Sequence, residues 1–518
     1  MESRIAKRKS SALRQLAAGL VFCRPSEIFQ TRVRATTRKV GREAAFLSAG
    51  LADEERKRAA LRNMKQDTIA AISTAQGLGG IGVIRISGGE ARRIADRVFV
   101  SPAGKILMDT PGYTARYGRV KEAGETIDEV VALVFRAPHS YTGEDVVELS
   151  CHGGLYVTKR VLRAVLNAGA RPAQAGEFTR RAFFNGKLGL TEAEAVMDII
   201  GAKGRQAARA ALAAREGALH RRLEAIKGAL IHSAAHLSAW ADYPEEDIPQ
   251  VEQGVLTDGL RQADQELATL LSQYDAGRAL REGIDTVIVG RPNVGKSTLM
   301  NLLAGCERSI VTNVPGTTRD VIEETVLVGD VALRLSDTAG IHDTNDPVEQ
   351  IGVKRAKDRL ASAGLALAVF DASDELTEDD QALIRSLSEE PAIAIINKTD
   401  LPKKIDEQYI KQYIKHIVYL SALSGDGLQE LTQALAQVAG VAQLDPAAGM
   451  LATERQRDAA RRAQACVREA MDALSYGMTL DAVTVSIEGA VQELLELTGE
   501  RASEAVVDGV FHSFCVGK

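Results

Sequence analysis

The sequence has little of what holds small or extracellular folds together. Five cysteines (Cys23, Cys151, Cys306, Cys466 and Cys515) occur in 518 residues, an odd number with no C-x-x-C pair. That pattern argues against a disulfide framework and against a zinc site, and it fits a reducing compartment. Aromatic residues make up 4% of the chain, with Trp240 the one tryptophan. Such scarcity suits helices rich in Ala and Leu. Runs of about 18 apolar residues are missing, so no membrane span is expected. Charge of one sign is not dominant: the formal net is −5. It is unevenly spread, because residues 1–63 hold 15 Lys/Arg against 6 Asp/Glu and the other 455 residues therefore carry −14. An acidic body does not favour indiscriminate nucleic-acid binding, so any RNA contact requires a local basic patch. What is present, 45% apolar and 26% charged residues, is ordinary for a globular protein of several domains.

Residues 1–63 differ from the rest. The first 26 residues contain six Lys/Arg and one acidic residue, Glu2, which fits a mitochondrial transit peptide. The favoured reading is a start placed too early, because Met64-Lys65-Gln66-Asp67 leads straight into a strand-like run as a natural N-terminus would. The expected location is the cytoplasm, or the mitochondrial matrix if residues 1–63 are a transit peptide. Residues 64–182 read as an α+β domain, with strands over 67–74, 81–88 and 129–135 and a helix ending near Ala168. Arg85 interrupts the aliphatic run of the second strand. The bland reading makes it the polar face of an edge strand; the sharper one makes it a contact for an anion or polar ligand. Residues 183–282 read as helical: Ala, Leu and charged residues recur at three- and four-residue spacing from Thr191 to Trp240, and a further helix runs from Leu256 to Glu282. Residues 283–441 alternate apolar strands with helices and imply a mostly parallel sheet. Residues 442–518 return to helix. Two helical blocks around an α/β block predict one helical domain with the other inserted into it.

The inserted block carries the chemistry. Gly290-Arg291-Pro292-Asn293-Val294-Gly295-Lys296-Ser297-Thr298 follows an apolar strand and precedes a helix, the context of a P-loop. Glycines there let backbone N–H groups wrap a phosphate chain, and the helix N-terminus adds partial positive charge. Lys296 can reach the β- and γ-phosphates and the Ser297 hydroxyl can bind Mg²⁺. Downstream, Thr312-Asn313-Val314-Pro315-Gly316-Thr317-Thr318-Arg319 offers a Thr that completes Mg²⁺ coordination. Asp337-Thr338-Ala339-Gly340 ends a strand where Asp337 can hold Mg²⁺ through water and the Gly340 N–H can sense the γ-phosphate. In Asn397-Lys398-Thr399-Asp400, the Asp carboxylate can accept from guanine N1–H and the 2-amino group, and the Asn can meet O6. Ser421-Ala422-Leu423 can supply a further N–H to O6. Adenine lacks that edge, so the set selects GTP. The position that carries a water-orienting Gln in Ras-like enzymes is Ile341, which cannot do that work. Glu349, nine residues beyond Gly340, could reach in as a carboxylate, or it is a solvated surface residue. Arg319 could act as an arginine finger, but spacing does not establish it.

Beside these motifs stand Ile84-Arg85-Ile86-Ser87-Gly88, Ser140-Tyr141-Thr142-Gly143-Glu144-Asp145, His152-Gly153-Gly154, Gly176-Glu177-Phe178, and the terminal Phe514-Cys515-Val516-Gly517-Lys518. In this combination the chain resembles the MnmE (TrmE) family of tRNA-modification GTPases over residues 67–518. The resemblance implies an α+β domain that dimerises and binds folate, a helical domain, and an inserted Ras-like G domain. It implies a homodimer that forms a heterotetramer with an MnmG-like flavoprotein, which would carry FAD and use NADH. Together they would install a carboxymethylaminomethyl-type group at C5 of the wobble uridine, position 34, of certain tRNAs, with 5-formyltetrahydrofolate or a related tetrahydrofolate as the one-carbon source. It assigns Asn293, Thr312, Val314 and Thr317 to a K⁺ ion placed where an arginine finger would sit, and Ser297 and Thr318 to Mg²⁺. It makes Glu349 the water-orienting carboxylate. Arg85, Glu148, Lys187 and Lys518 match folate-contacting positions, and Cys515 matches a C-terminal Cys that either takes part in the chemistry or is a small buried residue. Asn313, where Asp is common, and Val516, where Ile or Leu is common, depart from the pattern. The alternative reading is a ribosome-assembly GTPase that acts only as a switch. Cys515–Lys518 and the folate-like positions favour the first, and Asn397–Asp400 oppose ATP-driven chemistry.

Overall fold

The computed structural model describes residues 67–242, 253–305, 324–335 and 364–518. They form two compact units, one from residues 67–140 and 144–172 and the other from 141–143 and 173–518.

The first unit is a seven-stranded sheet with two helices on one face. Its strands are β1 (Ile69–Ile72), β2 (Ile81–Ser87), β3 (Phe99–Val100), β4 (Thr114–Glu122), β5 (Glu125–Phe135), β6 (Val146–His152) and β7 (Arg171–Pro172), in the order β3-β4-β5-β6-β2-β1-β7. Alternation decides which face is buried. Ile84, Ile86, Ala132, Val134, Val147 and Leu149 turn inward and meet Ile94 and Val98 of helix Ala91–Val98 and Val161 and Val165 of helix Leu155–Asn167. Arg85 takes the opposite face. It does not lie on an edge strand as the bland sequence reading has it, because β2 sits between β6 and β1. An arginine is tolerated there because Glu148 stands opposite it in register, with Nε 2.8 Å from Oε1. Strand β4 carries four charged residues among nine, too polar to read as a strand from sequence; pairing along β5 establishes it.

The second unit combines a helical bundle with a six-stranded sheet. Four helices form the bundle: Ala218–Asp242, Gln253–Ser272, Glu454–Ser475 and Leu480–Thr498. Buried Leu256, Leu260, Ala263, Leu267 and Leu270 alternate steps of four and three, and Val483, Ile487, Ala490, Leu494 and Leu497 do the same. That spacing lays one apolar stripe along each helix. Ala459, Ala460, Ala463 and Ala470 allow close approach of the third helix. The chain from Thr191 to Trp240 forms three helices, with Leu190–Gly201 and Arg205–Arg215 preceding Ala218–Asp242. The interruptions fall at Gly204 and at Gly217, whose φ is +81°. The helix expected over 256–282 is likewise two, broken at Gln273 before Tyr274–Glu282. Position 182, where sequence places the end of the first domain, lies inside helix Glu177–Phe184.

Strands β8 (Ile284–Val289), β9 (Glu324–Val328), β10 (Val331–Leu335), β11 (Leu365–Asp371), β12 (Ala392–Asn397) and β13 (His416–Tyr419) lie in the order β13-β12-β11-β8-β10-β9. All neighbours are parallel except the β9–β10 hairpin. β11 and β12 are buried throughout, as expected of central strands covered on both faces. No described helix is long and apolar enough to cross a membrane.

Candidate functional site

The carboxyl ends of four adjacent parallel strands, β8, β11, β12 and β13, converge on one locus, the place where open α/β sheets bind ligands. The loop after β8 runs into helix Lys296–Gly305, which begins three residues earlier than the apolar run at Leu299 suggests. Gly295 has φ +99°, and a Cβ there would lie 2.2 Å from Nδ2 of Asn397, so only glycine fits both the turn and the contact. Asn293 also takes a left-handed conformation, at φ +64°, which Asn accepts better than most residues. Its side chain and those of Ser297 and Thr298 are exposed, whereas Val294 is buried beneath the loop. Lys296 folds back on its own loop: Nζ donates to the carbonyls of Gly290 at 2.9 Å and Arg291 at 2.8 Å.

The structure adds to the role of Asn397. Beside the guanine O6 contact that the sequence reading gives it, the side chain has a structural task. It is buried, Nδ2 donates to the Val294 carbonyl at 2.8 Å, and Oδ1 accepts the Ala422 N–H at 2.9 Å. It therefore ties the phosphate loop, the Asn397–Asp400 loop and the Ser421–Leu423 loop together. Ser421 donates its hydroxyl to Oδ1 of Asp400 at 2.8 Å, which aims the carboxylate. Leu423 is exposed beside the buried Ser421 and Ala422.

Sequence reasoning missed Asp371. It ends β11, it is buried, and Lys398 Nζ lies 2.6 Å from its Oδ2. Burial alone would push this carboxyl up, but hydrogen bonds from Lys398 and from the Ser373 hydroxyl and N–H hold it below the usual Asp range. Lys398 sits at φ +62°, and this ion pair holds the end of its side chain. A charged residue closing an otherwise apolar parallel strand was the available signal. Arg291 is held by Asp374, 2.7 Å away, in the loop that follows β11.

The remaining sequence-derived positions fall into three groups. Thr312, Asn313, Val314, Pro315, Gly316, Thr317, Thr318, Arg319, Asp337, Thr338, Ala339, Gly340 and Glu349 lie outside the described residues. Arg85 and Glu148 form an ion pair in the first unit. Lys187, Cys515 and Lys518 belong to the second, where the chain's end is tied into the fold: Val516 bridges Ala175, the Cys515 carbonyl accepts the Gly176 N–H at 3.4 Å, and the Lys518 carbonyl accepts the Phe178 N–H at 3.2 Å. Residues 141–143 join this region through the Tyr141–Thr179 hydroxyl contact at 2.8 Å and the bond from Asn185 to the Thr142 carbonyl at 2.7 Å. Cys515 is exposed, while burial raises the Cys151 thiol to about 11 and keeps it protonated at neutral pH.

A strand–glycine loop–helix cradle beside an Asn-Lys-Thr-Asp loop and a Ser-Ala loop, all at the carboxyl edge of one parallel sheet, defines a P-loop protein that binds guanine nucleotides. Two family models then match most of the chain: "GTP-binding protein TrmE N-terminus" over residues 68–187 and "MnmE helical domain" over residues 190–515. The chain is 42% identical over 466 residues to "tRNA modification GTPase MnmE" of Heliobacterium modesticaldum, covering 88% of this chain and 100% of that one. It is 44% identical over 459 residues to the protein of the same description in Symbiobacterium thermophilum, with 88% and 100% covered. The chain belongs to the MnmE (TrmE) family of tRNA modification GTPases.

Proposed function

We propose that this GTPase is K⁺-dependent and, with an MnmG-like flavoprotein, adds a carboxymethylaminomethyl-type group at C5 of uridine 34 in certain tRNAs. Near-complete alignment with relatives described as tRNA modification GTPases carries this reading. The Asn397–Asp400 and Ser421–Leu423 loops supply the guanine selection. The homodimer, the flavoprotein partner, FAD and NADH on that partner, and a cytoplasmic location belong to the same proposal.

Several residues present suit the groups the family implies. Ser297 stands exposed at the first turn of helix Lys296–Gly305, and Asn293 is exposed on the loop before it; hard cations take such oxygen donors. Ser297 and Thr318 would hold Mg²⁺, and Asn293, Thr312, Val314 and Thr317 would hold K⁺. A cation between the phosphates supplies fixed positive charge as negative charge develops. Lys296 must leave the carbonyls of Gly290 and Arg291 to meet phosphate oxygens. Arg85, Glu148, Lys187 and Lys518 match the family's folate-contacting positions, and Arg85 paired with Glu148 offers donor and acceptor groups side by side. A bound tetrahydrofolate would supply the one-carbon unit. Cys515, whose thiol is exposed, is the candidate for a chemical role.

The reading is tested by nucleoside mass spectrometry of tRNA from a strain lacking this gene. Loss of the modified wobble uridine is expected; an unchanged nucleoside profile overturns the reading and leaves the ribosome-assembly switch. Hydrolysis is expected to run at least tenfold faster in K⁺ than in Na⁺, and equal rates in steady-state phosphate release would remove the K⁺ assignment. Glu349→Ala is expected to keep GTP affinity within about twofold while turnover falls 100-fold or more. Unchanged turnover would return Glu349 to the surface.

A further inference from the structure

We infer that the helical face of the first unit, centred on Lys159 and Arg163, is a docking surface for the phosphate backbone of tRNA. The inference rests on the functional reading above for the identity of the nucleic acid.

Charge separates this unit from the rest of the chain. Residues 67–172 hold 13 Lys/Arg and 11 Asp/Glu, a net of +2, whereas residues 173–518 hold 35 and 52, a net of −17. An RNA chain is repelled by the second and meets no such barrier at the first. Within the unit the acidic groups are largely engaged. Asp145 holds Arg92, Asp96 accepts the N–H groups of Leu107 and Met108, and Asp128 accepts from His152. On the two helices Arg92 pairs with Asp145, Arg93 with Glu90 and Arg160 with Glu122 and Glu125, which leaves Lys159 and Arg163. In helix Leu155–Asn167, Val161, Ala164 and Val165 face the sheet, which turns Lys159 and Arg163 to solvent. No ion pair or hydrogen bond engages either side chain among the described residues. Four residues apart, they stand about 6 Å from each other along the helix axis.

The neighbouring helix Ala91–Val98 packs into the same core and adds Arg97 on its outer side, with Arg93 beside it paired to Glu90 at 3.0 Å. Arg97 reaches across to the Ala168 carbonyl at 2.5 Å, which draws the two helices' basic sides together. Arg160 is spent on Glu122 and Glu125 and closes one edge of the patch. Tyr156, 73% exposed one turn before Lys159, offers a ring on which an unpaired base could stack. Basic side chains at helical spacing with an exposed ring beside them suit a single-stranded or looped RNA.

The test uses the full chain and an unmodified tRNA transcript, with binding followed by fluorescence anisotropy across a salt series. Lys159→Glu with Arg163→Glu is expected to weaken binding at low salt at least tenfold. The slope of log affinity against log salt should fall by about 1.4 to 1.8, the loss of two phosphate contacts. Arg261→Glu with Arg278→Glu, the same change of charge on exposed residues of the second unit, should change binding less than threefold. GTP hydrolysis should be unchanged in both, which reports a folded protein, and Lys159→Gln with Arg163→Gln should fall between. Equal binding by wild type and the double charge-reversal variant of Lys159 and Arg163 overturns this inference and leaves the functional reading intact. So does a loss confined to anionic vesicles with tRNA binding retained. A wild-type chain that binds no tRNA, together with an unchanged nucleoside profile in the deletion strain, overturns both.

Discussion

Replacing Asn397 with alanine is expected to weaken GTP binding about 100-fold. The side chain is buried and spans the Val294 carbonyl and the Ala422 N–H. Alanine leaves both backbone groups buried and unsatisfied, at about 1–3 kcal/mol each. Every 1.4 kcal/mol is roughly tenfold in affinity, so two such losses reach 100-fold even when part of the cost falls on stability. The effect is larger than for a residue touching the base alone, because the phosphate loop and both base-side loops slip together. Asn397→Asp keeps an acceptor for Ala422 and loses the donor to Val294, so it should cost about tenfold. Calorimetric titration with GDP and with a non-hydrolysable GTP analogue measures both. Equal affinity in Asn397→Ala and wild type would show that the three loops hold their places without it.

Arg455→Ala is expected to destabilise the helical unit by about 2–3 kcal/mol, less than the ~3–5 kcal/mol of a fully buried pair losing one partner, because the Arg455 side chain is 19% exposed while Glu194 is buried. Arg455 grips Glu194 with two bonds, Nε to Oε1 at 2.8 Å and Nη2 to Oε2 at 2.7 Å. It also donates to the carbonyls of Glu496 and Leu497 at the end of helix Leu480–Thr498, where helix carbonyls lack partners of their own. One guanidinium thus joins three helices. Without it, the Glu194 carboxylate keeps Gln456 at 2.6 Å but no countercharge. Adding Glu194→Ala to Arg455→Ala should recover part of the loss, because the stranded charge disappears. Urea unfolding followed by circular dichroism provides the values. A loss below about 1 kcal/mol in the single variant would mean that water satisfies Glu194.

The guanine-nucleotide motifs were legible because they are contiguous, and each sits at the end of an apolar run that reads as a buried strand. Lys296, Asn397, Asp400 and Ser421 fall where that reading puts them. What Asn397 does was not legible, because its partners Val294 and Ala422 lie far away in sequence and are backbone groups that any residue would offer. Asp371 escaped for the opposite reason: it belongs to no motif, and only the sheet order brings it to Lys398. Helix existence was readable from three- and four-residue spacing, but the breaks at Gly204, Gly217 and Gln273 were not, because the apolar rhythm continues through them. Strand β4 was hidden by Arg116, Arg119, Lys121 and Glu122, charges that suit a strand with one face in water. Arg85 was legible as an anomaly, and Glu148 across the ladder explains why it is allowed.

The two crossings between sheet and bundle run side by side. Gly277, on the way out, has no room for a Cβ beside the Leu451 carbonyl, and Arg281 donates to the carbonyl of Ala452 on the way back. This arrangement sets an order of events during synthesis. The helices that end at Ser272 leave the ribosome before their partners, which begin at Glu454, have been made. Once the intervening sheet folds, its two ends are neighbours, and the long loop that the bundle must close becomes a short one. The folded sheet therefore holds the two halves of the bundle's chain close together. Lesions in its core, at Leu367 or Ile395 for example, should delay assembly of a bundle they do not touch.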